Sequence, residues 1–262
     1  MSNRKLIFFD IDGTLYNSDK VVPAEAKKAV RQLKEDGHIV AIATGRGPFM
    51  YKKLREELGI ETYISYNGQY IVFEGQVIYD NPIESSTLEK LSAQAHSNNH
   101  PVAFCDEKDL RVSTKEHEHV KAGIGSLKLD FEVSEDKAYF EDNAIYQSLL
   151  FCTEEEEAEY TASYDDVYFL RWHEFCMDVI PAGGSKAEGI KTLLDKMNID
   201  IKDTYAFGDG PNDVEMLELI ENSVAMGNGV QEAKAVSRYV TGHVDENGLY
   251  DGLKMAGLLS LI

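Results

Sequence analysis

Apolar positions along the chain fall into two textures, dense short runs and residues spaced at helical intervals. Positions 5–11 form a dense run ending at Asp12-Gly13, which predicts a short strand buried on both faces and then a turn. Pro23 suits a first helical position, Ala26, Ala29, Val30 and Leu33 recur at helical spacing, and Gly37 is a natural stop. A second buried strand is expected over 38–43. It is broken by Thr44-Gly45-Arg46-Gly47-Pro48 before an amphipathic helix over about 49–58. Strand, helix, strand, helix is the rhythm of a doubly wound parallel sheet.

The rhythm changes near Thr62. Short strands are expected over 63–66, 69–73 and 76–79, separated by the hairpin-forming pairs Asn67-Gly68 and Glu74-Gly75. From Pro82 to about Gly183, aromatic and β-branched runs (102–105, 145–152, 167–172, 175–180) mix with helical stretches at 86–97 and 153–163. The β/α rhythm then returns with a helix over 186–197, a strand over 204–208, a helix over 212–220 and a strand over 223–226; 257–262 reads as an apolar helix end. The expected organisation is an α/β, Rossmann-like doubly wound parallel-sheet core in two pieces, 1–81 and 184–262. An inserted α+β module occupies 82–183, with hinges near Asn81-Pro82 and Ala182-Gly183-Gly184.

Charge narrows the partners. The 262 residues carry a net charge of −20, and 82–183 alone holds 22 acids against 8 bases. Nucleic acid and anionic membrane both require a basic face, so neither is an expected partner. The three cysteines, Cys105, Cys152 and Cys176, are widely spaced, form no C-x-x-C pair and read as small buried hydrophobes. The first apolar run is too short for a signal segment, so a cytoplasmic location is expected. Oligomeric state is not set by the sequence.

In an open parallel sheet, ligands bind beyond the carboxyl ends of the strands. Those positions hold Asp10 and Asp12, then Thr44 and Arg46, then Asp209, Asn212 and Asp213, with Lys186 opening a neighbouring helix. Four converging carboxylates repel unless a cation compensates them. Oxygen-only donors with no His or Cys select a hard ion, and Mg²⁺ suits a site that also takes a phosphate. Lys186, the Thr44 hydroxyl and glycine-rich backbone N–H groups would bind phosphoryl oxygens. Asp10 can then act as a nucleophile that forms an aspartyl phosphate, and Asp12 as the acid and base.

The segments Phe8-Phe9-Asp10-Ile11-Asp12-Gly13-Thr14-Leu15, Ala43-Thr44-Gly45-Arg46, Ser185-Lys186 and Gly208-Asp209-Gly210-Pro211-Asn212-Asp213 resemble the four motifs of the haloacid-dehalogenase superfamily. The long insert between the second and third motifs resembles the Cof-type branch with its class IIB cap, mostly Mg²⁺-dependent phosphatases of small metabolites. By that resemblance Asp10 is nucleophile and metal ligand, and Asp12 acid–base with a ligating backbone carbonyl. Asp209 is a direct Mg²⁺ ligand, and Asp213 ligates the metal directly or through an intermediary. Thr44, Gly45, Lys186 and Asn212 contact the phosphoryl group, and Asn67 touches substrate; Arg46 reads equally as a substrate contact or as a surface ion pair. Gly184, Ala187-Glu188, Pro211 and Asp178 depart from common family residues without removing a catalytic group. The expected function is hydrolysis of a small phosphorylated metabolite, a sugar phosphate or similar monoester. Phosphomutase chemistry on the same scaffold and a non-enzymatic phospho-acceptor or metal-binding regulatory module stand as alternatives.

Three signals have plainer readings. His117 and His119, two residues apart, do not share a helix face and have no third ligand at metal spacing. The Glu154–157 run reads as a solvated helix start, and Trp172, Tyr168 and Phe169 as strand packing.

Overall fold

The computed structural model describes residues 4–127, 129 and 131–259, and within them the two textures resolve into two sheets. The chain divides into one unit of residues 1–45, 52–79 and 185–262 and a second of 46–51 and 80–184.

The strands of the first unit are β1 (Leu6–Phe9), β2 (Ile39–Ala43), β3 (Thr62–Ser65), β4 (Tyr70–Phe73) and β5 (Gln76–Asp80). In the second unit lie β6 (Val102–Cys105), β7 (Leu110–Val112), β8 (Ser134–Glu135), β9 (Gln147–Leu150), β10 (Val167–His173) and β11 (Cys176–Pro181). The chain then returns to the first with β12 (Thr204–Gly208), β13 (Asn222–Ala225) and β14 (Tyr239–Val240). The helices, in chain order, are α1 (Ala24–Glu35), α2 (Lys52–Leu58), α3 (Ser85–Ser97), α4 (Glu118–Ser126), α5 (Tyr139–Asp142), α6 (Ala158–Thr161), α7 (Lys186–Met197), α8 (Val214–Leu219), α9 (Gln231–Val236) and α10 (Gly248–Met255).

The first sheet runs β14-β13-β12-β1-β2-β3-β4-β5, parallel from β14 through β3, with β4 antiparallel to β3. All four β1 residues are buried, as a strand covered on both faces requires. Leu6 pairs with Ile39 on one side and Thr204 on the other, so β1 is the point where strand order reverses. The carboxyl ends of β1, β2 and β12 therefore open on one crevice, where an open α/β sheet binds its ligand. Helix α7 buries Ile190, Leu193 and Leu194 against Leu6, Phe8 and Ile64 of the sheet.

The second unit is α+β, with sheet order β10-β11-β9-β6-β7-β8. Leu88, Leu91 and Ala95 of α3 join Val102, Phe104, Leu150 and Val179 in its core, and Phe169 packs against that cluster. All three cysteines are buried and unpaired, and burial pushes the Cys105 and Cys176 thiols up, which keeps them inert. Among the described residues no helix is long and apolar enough to cross a membrane.

Several element boundaries differ from the periodicity reading. The stretch expected as a helix over 153–163 is a 3-10 turn at Glu154–Glu156 followed by α6, begun by a capping box between Thr153 and Glu156. The helix expected from Asn212 starts as a 3-10 turn at Pro211–Asp213, with Pro at its start. Glu74 and Gly75 both have positive φ, as the expected tight hairpin needs, whereas Tyr66, Asn67 and Gly68 form three consecutive positive-φ residues. The expected apolar helix end at 257–262 is not helical where described: α10 stops at Met255, Gly257 takes φ 72°, and 260–262 lie outside the described residues.

Candidate active site

Four strand ends and one helix start place the polar cluster. Asp10 follows β1, and its N–H donates to Phe207 O of β12, so the two strand ends are locked together at the point where both carboxylates emerge. Lys186 is the first residue of α7, whose N-cap Ser185 accepts from Glu188 N. That helix start approaches the Tyr66–Gly68 turn backbone to backbone. A Cβ on Gly68 would lie 2.5 Å from Ser185 O, and one on Gly189 would lie 2.7 Å from Gly68 Cα. Glycine at both positions lets one close approach set Lys186 and Asn67 together.

Lys186 Nζ donates to Asp10 Oδ1 at 2.5 Å and to Asp213 Oδ1 at 2.6 Å, with the lysine side chain wholly buried. Asp213 Oδ2 accepts the N–H groups of Asp209 and Gly210, both at 2.9 Å, so both of its oxygens are engaged. Asp209 accepts from the Thr14 hydroxyl at 3.0 Å and from Asn228 Nδ2 at 3.2 Å. Carboxylate oxygens of Asp10, Asp209 and Asp213 all lie within 4.8 Å of one another.

Three carboxylates face one ammonium here, and each carboxylate pair at that separation costs roughly 3 kcal/mol at an effective dielectric of 20. Burial pushes the Asp10 carboxyl up; Lys186 opposes this, and Asp213 and Asp209 add to it. Burial and then Asp213 push Asp209 up to about 6. Burial works against the Lys186 charge, but Asp10 and Asp213 outweigh it and hold the ammonium protonated. The cluster is short of positive charge and offers only oxygen donors, which fits a hard divalent cation.

The remaining expected site residues are distributed unevenly. Thr44 is buried at the end of β2, and its carbonyl accepts from Asn67 N at 3.1 Å. Asn212 Nδ2 reaches Asn67 Oδ1 at 3.4 Å, and a Cβ on Gly45 would lie 3.1 Å from Asn67 Nδ2, so these three share one corner. The Asp12 carboxylate is turned to Lys20, 2.6 Å away, in a partly exposed ion pair. Arg46 falls in the second unit.

The haloacid dehalogenase-like hydrolase family matches residues 7–253. The chain belongs to that family. It is 49% identical over 255 residues to the Bacillus subtilis protein named "Putative phosphatase YkrA", covering 97% of this chain and 98% of that one. A structure of a hypothetical protein from Geobacillus kaustophilus superposes with a TM-score of 0.93 at 48% identity, over 98% of this chain and 100% of that one. The subclass IIB sugar phosphatase BT4131 superposes at 0.83 with 30% identity, over 97% of this chain and 100% of that chain. The protein is thus a phosphoryl-transfer enzyme of the haloacid-dehalogenase superfamily.

Sequence reasoning missed Thr14, Asn228 and Gly13 as site residues. Asn228 Nδ2 bridges Asp209 and the Gly13 carbonyl (2.8 Å), while its Oδ1 accepts Val244 N. A Cβ on Gly13, which has φ 82°, would lie 2.2 Å from Asp209 Oδ2. The signal was present: Gly227-Asn228-Gly229 follows β13, another strand end on the same edge.

Proposed function

We propose that the enzyme is a Cof-type, Mg²⁺-dependent phosphatase that hydrolyses a small phosphorylated metabolite through an aspartyl phosphate on Asp10. The observation that carries this reading is the buried Asp10 carboxylate, held by Lys186 beside Asp209 and Asp213 at the end of β1.

Asp10 and Asp209 would hold the ion, with the Asp12 carbonyl by family resemblance. Asp213, both of whose oxygens already accept hydrogen bonds, would chiefly orient Lys186 and the Asp209 loop. Bound there, Mg²⁺ supplies the charge neutralisation that lets an anionic phosphate approach an anionic nucleophile. An Asp10 oxygen forms a bond to phosphorus as the ester P–O bond breaks, and Asp12 gives the departing oxygen its proton. Asp12 then takes a proton from water, whose oxygen attacks phosphorus, and the Asp10–phosphorus bond breaks to release phosphate. Asp12 must leave Lys20 for this, and an exposed ion pair of that kind costs only about 0–1 kcal/mol to separate. Thr44, Gly45, Asn67 and Asn212 would donate to or orient the phosphoryl oxygens. The cap role of the inserted unit is assigned on family resemblance.

A phosphate-release screen of phosphorylated metabolites, sugar phosphates first, tests the reading. Mg²⁺-dependent turnover of some monoester is expected, with Asp10→Asn inactive and no longer trapped by beryllofluoride. Turnover surviving in Asp10→Asn would remove the covalent mechanism.

A further inference from the structure

The second unit carries a half-open pocket of about 520 Å³ whose lining, among the described residues, contains no Asp or Glu. That is unexpected where 22 acids face 8 bases over 82–183. Its wall instead gathers basic and hydroxyl groups from separate segments: Ser92 and His96 on α3, Thr114 and His117 ahead of α4, and Lys137 ahead of α5. His96 stands in the last turn of α3, where the helix dipole alone favours a basic residue. His117 and Lys137 come from other segments and have no such reason to converge there.

Lys137 makes no ion pair among the described residues, and the buried Ser92 Oγ has no hydrogen-bond partner. His117 Nδ1 accepts the His119 N–H at 3.2 Å, which places its proton on Nε2 as a donor. Burial, then His119, lowers its pKa, so it is a neutral donor near pH 7. His100, also in the wall, is already held: its Nδ1 meets Tyr160 OH at 2.7 Å, and its Nε2 meets Glu156 at 3.3 Å. A metal is disfavoured by the Lys137 ammonium. No three His, Cys, Asp or Glu ligand atoms converge here among the described residues.

We propose that this pocket is a second ligand site, for a small phosphate-bearing anion. Lys137 supplies the charge, and His96, His117, Ser92 and Thr114 supply hydrogen-bond donors. A tetrahedral dianion can accept from several directions at once, as donors converging from separate segments require. Inorganic phosphate and a phosphomonoester share this chemistry.

Histidine-ring NMR on the full chain in EDTA tests the proposal without turnover and whatever the fate of the aspartyl-phosphate reading. With inorganic phosphate at constant ionic strength, the His96 and His117 resonances are expected to shift saturably. Lys137→Met, at an exposed position, should weaken binding at least about tenfold with its urea midpoint unchanged. His96→Gln should weaken it as well. A hexose monophosphate binding at least about tenfold tighter than phosphate would identify an organic ester as the occupant, and equal binding would identify free phosphate. No shift at tens of millimolar phosphate, an unchanged affinity in Lys137→Met, or shifts caused by Zn²⁺ and not by phosphate would each overturn the proposal.

Discussion

Lys186 and Asp213 form an ion pair with no solvent exposure on either side chain, Nζ 2.6 Å from Oδ1, and the same ammonium also holds Asp10. Removing one partner of such a cluster leaves charges buried without compensation, which costs about 3–5 kcal/mol. Lys186→Met is therefore expected to lose stability of that order in EDTA, to recover part of it in Mg²⁺, and to be nearly inactive. Urea unfolding with and without the metal measures this. A loss below about 1 kcal/mol in EDTA would mean that Asp10 and Asp213 are not both ionised in the folded protein.

Asn228 predicts a different pattern, because it reaches the nucleophile only through Asp209. Its amide holds one Asp209 oxygen and the Gly13 carbonyl in place. Groups that orient a ligating carboxylate typically contribute 10–100-fold in metal affinity. Asn228→Ala should raise the Mg²⁺ concentration needed for half-maximal turnover by about that factor, with turnover at saturating Mg²⁺ close to the parent. A fall in saturated turnover at unchanged Mg²⁺ affinity would place Asn228 in the chemistry itself.

Asp10 and Asp209 were legible in the sequence because a dense apolar run predicts a strand, and in a parallel sheet the residue after a strand faces the ligand crevice; Lys186 was legible as the opening of a helix where the β/α rhythm returns. Asn228 obeys the same rule, but its importance depends on β13 lying next to β12, which periodicity does not reveal. The Asp12–Lys20 pair was not legible either, since it depends on the path of an irregular loop. Asn67-Gly68 read as a hairpin turn. In the fold β3 and β4 do pair antiparallel across it, but the preceding Tyr66 is left-handed too, and the turn packs closely on α7, which the local pair does not reveal.

Gly13 is constrained from two directions. Its φ of 82° disfavours any side chain, and a Cβ there would overlap Asp209. Gly13→Ala should cost about 1–2 kcal/mol from the backbone conformation alone and should also displace Asp209. Isothermal titration with Mg²⁺ is expected to show markedly weaker binding than the parent. Parent-like affinity would show that Asp209 can move without consequence.

For Asp12 the expected separation is between stability and chemistry. Its pair with Lys20 is partly exposed, so Asp12→Ala should change stability by at most about 1 kcal/mol. Loss of a general acid–base should slow turnover by about 10²–10⁴-fold. Single-turnover quench experiments should show both formation and breakdown of the phosphoenzyme slowed, with Mg²⁺ affinity largely retained. A variant that recovers full turnover at high Mg²⁺ would contradict the acid–base role.

Asp178, on β11 of the second unit, offers a pH test that does not depend on turnover. Burial raises its carboxyl to about 7, above the ordinary 3.8, with Trp172 opposing the rise in part, and Gln147 Nε2 donates to it at 3.0 Å. The folded protein therefore keeps this proton where the unfolded chain releases it. Stability falls as pH rises from about 4 to about 7 and is level above that window, because the folded state alone bears the cost of ionising a buried group. Asp10 and Asp209, also raised, contribute a slope of the same sign in metal-free protein, so the comparison of variant with parent isolates Asp178. Asp178→Asn keeps the shape and removes the titration. Urea midpoints measured across that window should decline less steeply for the variant, and its advantage over the parent should grow with pH. Parallel declines would show that Asp178 ionises in the folded protein as readily as in the unfolded chain.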